Sequence, residues 1–153
     1  MRLIVQRVRK ASVTIHGHAV ANIGGGMLVL VGLSPKDAEP QAWSKIEATI
    51  AKLLSLRIFP DGNNHMNISL TDFGGEVLLV SQFTLYADCR KGRRPSFHLA
   101  CPPDLARPLF ENVLAATNKL LPRKVQSGIF AADMDISLVN WGPVTILLDS
   151  EDF

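Results

Sequence analysis

Glu76-Val77-Leu78-Leu79-Val80-Ser81-Gln82-Phe83-Thr84-Leu85 is the stretch whose reading decides the fold. Residues 77–80 are apolar without interruption and follow the Gly74-Gly75 break, a run too short for a helix, so a central strand is predicted over residues 76–85. The run gives way abruptly at Ser81 and Gln82, placing polar groups where burial has just been established.

Residues 27–33 form a second short apolar run, expected to be a strand buried on both faces. Upstream, residues 3–8 and 11–15 are rich in β-formers, His16-Gly17-His18 makes a turn, and residues 19–23 return before Gly24-Gly25-Gly26, which reads as antiparallel pairing. Ile58-Phe59 and residues 66–70 read as short strands around Pro60-Asp61-Gly62-Asn63-Asn64. Between residues 37 and 55 the period becomes helical, with Trp43, Ile46, Ile50, Leu53 and Leu54 on one face and Pro40 in the first turn. A second helix is predicted over about residues 103–121, with Leu105, Leu109, Val113, Ala116 and Leu120 facing inward. Pro108 either kinks it or delays its regular start. Residues 135–139 and 144–148, joined by Trp141-Gly142-Pro143, read as a final hairpin. The sum is an α/β (α+β-like) fold: a mostly antiparallel β-sheet with two helices packed on one face.

A chain of 153 residues, 47% hydrophobic and 20% charged, fills one core and is too short for two ordinary domains, so a single domain over residues 1–153 is expected. The net charge of +2 permits contact with nucleic acid without demanding it. Arg90, Lys91, Arg93 and Arg94 crowd into one loop, which beside a site would attract phosphates and elsewhere is a solvated surface run. With two cysteines, no leader-like start and no apolar run of membrane-spanning length, a soluble cytoplasmic protein with free thiols is expected, and no membrane partner. Cys89, His98 and Cys101 match no common ligand spacing and His16, His18 and His65 form no cluster, so neither a metal nor a cofactor is expected.

Ser81 and Thr84 invite the idea of a nucleophile, but a hydroxyl is weak without a base, and no His or Asp stands at motif spacing. The same residues have a second use. If the strand stops at Ser81, the N–H groups of Phe83 and Thr84 are free to hold an oxyanion, a contribution of roughly 3 kcal/mol. At Gly142-Pro143 the proline removes a donor and makes a cis bond possible, while glycine lets another backbone or a ligand come close; a tight turn is the plainer alternative.

Ser81-Gln82-Phe83-Thr84-Leu85 and Asn140-Trp141-Gly142-Pro143-Val144-Thr145 resemble the two signature motifs of the D-aminoacyl-tRNA deacylase family, in order and spacing. Gln6-Arg7-Val8, Arg93-Arg94-Pro95-Ser96-Phe97, Phe130-Ala131-Ala132-Asp133-Met134 and Ser137-Leu138-Val139 extend the likeness over nearly the whole chain. The resemblance implies the family's fold and a homodimer with active sites at the subunit interface. There the Gly142-Pro143 corner, in the cis form, enters the partner's site and excludes L side chains. It implies hydrolysis of the ester of D-aminoacyl-tRNA, and of glycyl-tRNA, by water assisted by the terminal 2′-OH. The Phe83 N–H stabilises the oxyanion, Gln82 orients substrate, Thr84 and Ser81 support, and Arg7 orients the corner with its fixed fork of donors. Phe130 and Met134 are candidates for the adenine pocket, and Arg90, Lys91, Arg93 and Arg94 for tRNA phosphates. Trp141 stands where the family is often acidic, and is expected to add packing across the dimer or to affect access of the tRNA end. Two other readings are an animal-type deacylase acting on some L-aminoacyl-tRNA, against which Ser81 and Phe83 argue, and a non-catalytic module binding the tRNA end.

Overall fold

A computed structural model describes residues Met1–Phe153. Its longest strand pair organises everything else. Strand β1 (Arg2–Ile15) pairs antiparallel along one edge with β8 (Asp135–Asp149), from Arg2 opposite Asp149 to Thr14 opposite Asp135. Its other edge is shared, the first half taken by β3 (Gly26–Gly32) and the second by β2 (His18–Ile23), both antiparallel. Strand β6 (Glu76–Ser81) then lies parallel to β3, and β7 (Val125–Ser127) parallel to β6.

Parallel neighbours need long crossovers, and these carry the helices. Between β3 and β6 run α1 (Trp43–Ser55), the small β4–β5 pair (Phe59–Pro60 and Met66–Ile68) and the single turn α2 (Leu70–Phe73). Between β6 and β7 runs α3 (Pro103–Leu120). The sheet is therefore mostly antiparallel, with the two longer helices on one face as expected, and two parallel pairings that the sequence reading did not contain.

Strand alternation serves two cores. Met27, Val29, Val31, Val77 and Leu79 pack toward α1 and α3, while Leu28, Leu78 and Val80 pack with Val8, Val13 and Ile23 on the opposite face. The second core exists because the sheet curls nearly closed, bringing β2 back beside β6 and β7, where Asn22 N–H donates to Gln126 Oε1 at 3.3 Å. Burying each such Val or Leu stabilises by roughly 1.5–3 kcal/mol, which accounts for the unbroken apolar runs of β3 and β6. At the start of β3 only glycine fits: a Cβ on Gly26 would stand 1.9 Å from the Glu76 carbonyl oxygen.

Three expectations are corrected. Helix α1 begins at Trp43, after two 3₁₀ turns (Pro35–Ala38 and Pro40–Ala42), though the predicted inner face of Ile46, Ile50, Leu53 and Leu54 is buried. Helix α3 buries Ala106, Leu109, Phe110, Val113 and Thr117, whereas Leu105 and Leu120 are 51% and 53% exposed. Both stripes share Leu109 and Val113; burying the larger Phe110 decides the rotation. Thr117 tolerates burial by donating its hydroxyl to the Val113 carbonyl at 2.7 Å. Finally, residues 135–149 are not a hairpin. Both halves of β8 run against the same strand, with Asn140 opposite Val8 and Thr145 opposite Gln6, so the four residues 141–144 bulge out opposite Arg7 alone.

Candidate active site

The last ladder bond of β6 runs just past its end, from Gln82 N–H to the Val31 carbonyl at 2.8 Å. Gln82 then leaves the extended region (φ −144°, ψ 83°) and the chain enters a 3₁₀ turn, Phe83–Tyr86, so the strand expected to run through Leu85 ends at Ser81. The first N–H groups of such a turn have no partner inside it, and no side chain caps this one. The amides of Phe83 and Thr84 thus head the turn with donors to offer. Gln82 Nε2 donates to Thr84 Oγ1 at 2.6 Å, so the threonine hydroxyl meets a donor and no base that would take its proton.

Beside this turn opens a cleft of about 600 Å³, with Ser81, Gln82 and Phe83 on one side and Phe97, Phe130 and Met134 among the apolar residues of the others. Phe83 is 57% exposed and meets the Phe97 ring edge-on, centroids 5.0 Å apart. Phe130 is backed by the Arg107 guanidinium, 4.8 Å from its centroid, and by Phe110. Ala131, also on the wall, holds a left-handed φ of 64°, the kind of local strain that concentrates at binding sites. A second, more open hollow of about 440 Å³ near Arg57 and Asp72 contains none of the candidate residues.

The basic loop is rooted at the cleft. Asp88 and Ser96 exchange backbone bonds of 2.7 and 2.9 Å that close it, and Phe97 on the cleft wall follows directly. Arg90 does not present its charge freely: it donates to both oxygens of Asp88, at 2.8 and 2.7 Å. That pairing, first through the Arg90 side chain and then through its backbone N–H, holds the Asp88 carboxyl well below the usual carboxylate range, and raises Arg90 in turn. Lys91, Arg93 and Arg94 are exposed and take part in no ion pair.

The bulge on β8 is the second assembly. Its Gly142–Pro143 peptide bond is cis, and both residues are exposed. Gly142 has φ 145°, and a Cβ there would meet Val144 N at 2.9 Å and Arg7 Nη2 at 3.0 Å, so both conformation and space require glycine. Arg7 is 7% exposed; its Nε donates to the Trp141 carbonyl at 2.7 Å and its Nη1 to the Ile58 carbonyl. Burial, and then Arg9 nearby, push the Arg7 pKa down. Asn140 closes the neck. Its Oδ1 accepts from Val144 N–H at 2.8 Å, and its Nδ2 donates to Gln6 Oε1, the Val144 carbonyl and Thr145 Oγ1 at 3.1–3.2 Å.

Ser81, Gln82, Phe83, Phe130 and Met134 therefore share one cleft, with Thr84 beside it in the turn; Arg7, Gly142 and Pro143 form a separate group that does not line it. Asn140 and Phe97 were not anticipated as site residues. An Asx-type side-chain closure was legible as Asn140 ahead of a Gly-Pro step; nothing local marked Phe97. The Trp141 ring turns inward onto Phe59 and Phe73 of its own chain.

Residues 4–149 match the sequence profile of the family described as D-Tyr-tRNA(Tyr) deacylase. A protein of Solidesulfovibrio magneticus named D-aminoacyl-tRNA deacylase is 59% identical across 99% of this chain and 97% of the relative. One of Nitratidesulfovibrio vulgaris with the same name is 54% identical across 99% and 94%. Among solved structures, the c-Myc DNA Unwinding Element Binding Protein superposes with a TM-score of 0.89 at 39% identity, covering 97% of this chain and 98% of that one. A probable eukaryotic D-amino acid tRNA deacylase superposes at 0.81 with 20% identity over 96% and 97%, which shows the fold.

Proposed function

Because this chain belongs to the D-Tyr-tRNA(Tyr) deacylase family, a family of hydrolases, we propose that it cleaves the ester joining a D-amino acid to the 3′-terminal adenosine of tRNA. The observation that carries this reading is the pair of uncapped amides, Phe83 and Thr84, at an apolar cleft whose nearby hydroxyl meets no base. Fixed donors aimed at a developing oxyanion supply roughly 3 kcal/mol without any titrating group, and an aminoacyl ester is reactive enough to need little more.

In the proposed reaction a water oxygen attacks the ester carbonyl, charge gathers on the carbonyl oxygen facing the Phe83 N–H, and the bond to ribose O3′ breaks. The neighbouring 2′-OH relays one water proton to O3′; the other is released as the amino acid ionises. Gln82 orients the substrate, with Thr84 and Ser81 in support. Phe130 and Met134 hold the terminal adenine, and Lys91, Arg93 and Arg94, with Arg90 contributing less because of Asp88, meet backbone phosphates.

Selection by handedness is assigned to the exposed Gly142–Pro143 corner, which lies outside its own chain's cleft. In a homodimer each chain lends its corner to the other's cleft, where main-chain carbonyls occupy the space an L side chain would need. Achiral glycine passes, so glycyl-tRNA is a side substrate. Incubating catalytic amounts of protein with D-tyrosyl-tRNA tests the reading. Repeated turnover is expected; protection of the charged tRNA without release of tyrosine would indicate the binding module instead.

A further inference from the structure

We propose that Trp141 is a positioning residue: its indole fixes the direction in which the Gly142–Pro143 corner projects from β8. The inference rests on the corner's role in selection for its kinetic consequence, and on geometry alone for its structural one.

Four bulged residues facing one partner cannot be held by ladder bonds, so side chains must hold them. Trp141 opens the bulge and packs between charge and core. Below it lie Phe73 and Phe59, at centroid distances of 5.7 and 6.3 Å, themselves stacked at 4.5 Å. Over its ring stand two guanidiniums, Arg9 at 4.0 Å and Arg7 at 4.8 Å. Neither arginine has a carboxylate partner within salt-bridge distance. The negative face of the indole is what offsets the two like charges beside it.

Arg7 is the link to the corner. It donates to the Trp141 carbonyl while its Nη2 lies 3.0 Å from where a Gly142 Cβ would be, so the corner rests directly on this guanidinium. A ring that fixes Arg7 fixes Gly142 as well. Without the indole, Arg7 and Arg9 repel each other and the guanidinium loses the surface that aligns it with the carbonyl. Trp141 is not among the residues that line the cleft, and its ring acts on the corner through Arg7.

The test compares Trp141→Ala, Trp141→Phe and Trp141→Leu with the unaltered chain, by two readouts. The first is amide exchange at Val144, whose N–H is bonded to Asn140 within the corner, referenced to Val29 in the core strand β3. In Trp141→Ala the Val144 exchange is expected to rise roughly three- to thirtyfold with Val29 unchanged, the range corresponding to a lost cation–π contact. Trp141→Phe recovers most of the protection. The second readout is the ratio of kcat/KM for D- over L-tyrosyl-tRNA, expected to fall over the same range with kcat for the D ester nearly unchanged. Trp141→Leu, which keeps an apolar side chain against Phe59 and Phe73 but offers the two guanidiniums no ring face, moves both readouts in the same direction and decides the matter if Trp141→Ala does not fold. Unaltered Val144 protection in the folded variants overturns the proposal. An unaltered chain with no preference for the D ester overturns the reading of function, and the exchange result still decides this one.

Discussion

Asn140 and Val144 are joined twice across the corner: Asn140 Oδ1 accepts from the Val144 N–H at 2.8 Å and Asn140 Nδ2 donates to the Val144 carbonyl at 3.2 Å. One side chain thereby supplies both halves of a backbone-like pairing where the strand has left its ladder. Asn140→Ala removes these and the bonds to Gln6 and Thr145, for an expected loss of roughly 1–3 kcal/mol in urea unfolding. Discrimination between D and L esters should fall with it.

The Phe83 amide is the donor assigned to the oxyanion. Proline fits the opening position of a helical turn and lacks the N–H, so Phe83→Pro removes the donor with little cost to the turn. Single-turnover kinetics should show kcat for D-tyrosyl-tRNA lowered by about 10²–10³. A near-normal rate would place the oxyanion elsewhere.

Thr84 accepts from Gln82 and meets no base, so Thr84→Ala is expected to stay within about tenfold of the parent rate. Substrate ending in 2′-deoxyadenosine should react slowly with either protein. Loss of several orders of magnitude in Thr84→Ala would restore a nucleophilic mechanism.

If the corner is lent between chains, two defective proteins should repair each other. Gly142→Val spoils the corner through its φ of 145° and the contacts a side chain would make, and Phe83→Pro spoils the cleft. Mixed subunits hold one intact cleft facing one intact corner, so co-refolded protein should regain D-selective hydrolysis that neither variant shows alone. Failure to regain it would mean that both parts act within one chain.

Tyr86, at the end of the 3₁₀ turn, is pushed up to about 12, chiefly by burial and then by the charge of Asp37. Its folded pKa lies above the unfolded value of about 10, so its contribution to stability is complete below the lower value. That contribution is lost as pH rises between the two. Urea midpoints at about pH 9 and about pH 11 should therefore fall further apart in the unaltered chain than in Tyr86→Phe.

Much of the architecture was legible because burial leaves a local trace. The apolar runs of β3 and β6 and the inner face of α1 follow from periods within a few residues. The rest depended on partners far along the chain. Nothing near Gly142 says that both flanks of the corner pair with β1, so the local bend reads as a reversal when it is a bulge opposite Arg7. The face of α3 turned on Phe110 outweighing Leu105, a comparison made only against the assembled core. Arg90 looked like a free cation because its pairing with Asp88, two residues away, depends on how the loop closes.

The measurement closest to the central claim is kcat/KM for D-tyrosyl-tRNA against L-tyrosyl-tRNA, on the same tRNA, with the unaltered chain. Exclusion by main chain predicts a preference for the D ester of about a hundredfold or more. Equal rates on the two esters would contradict it.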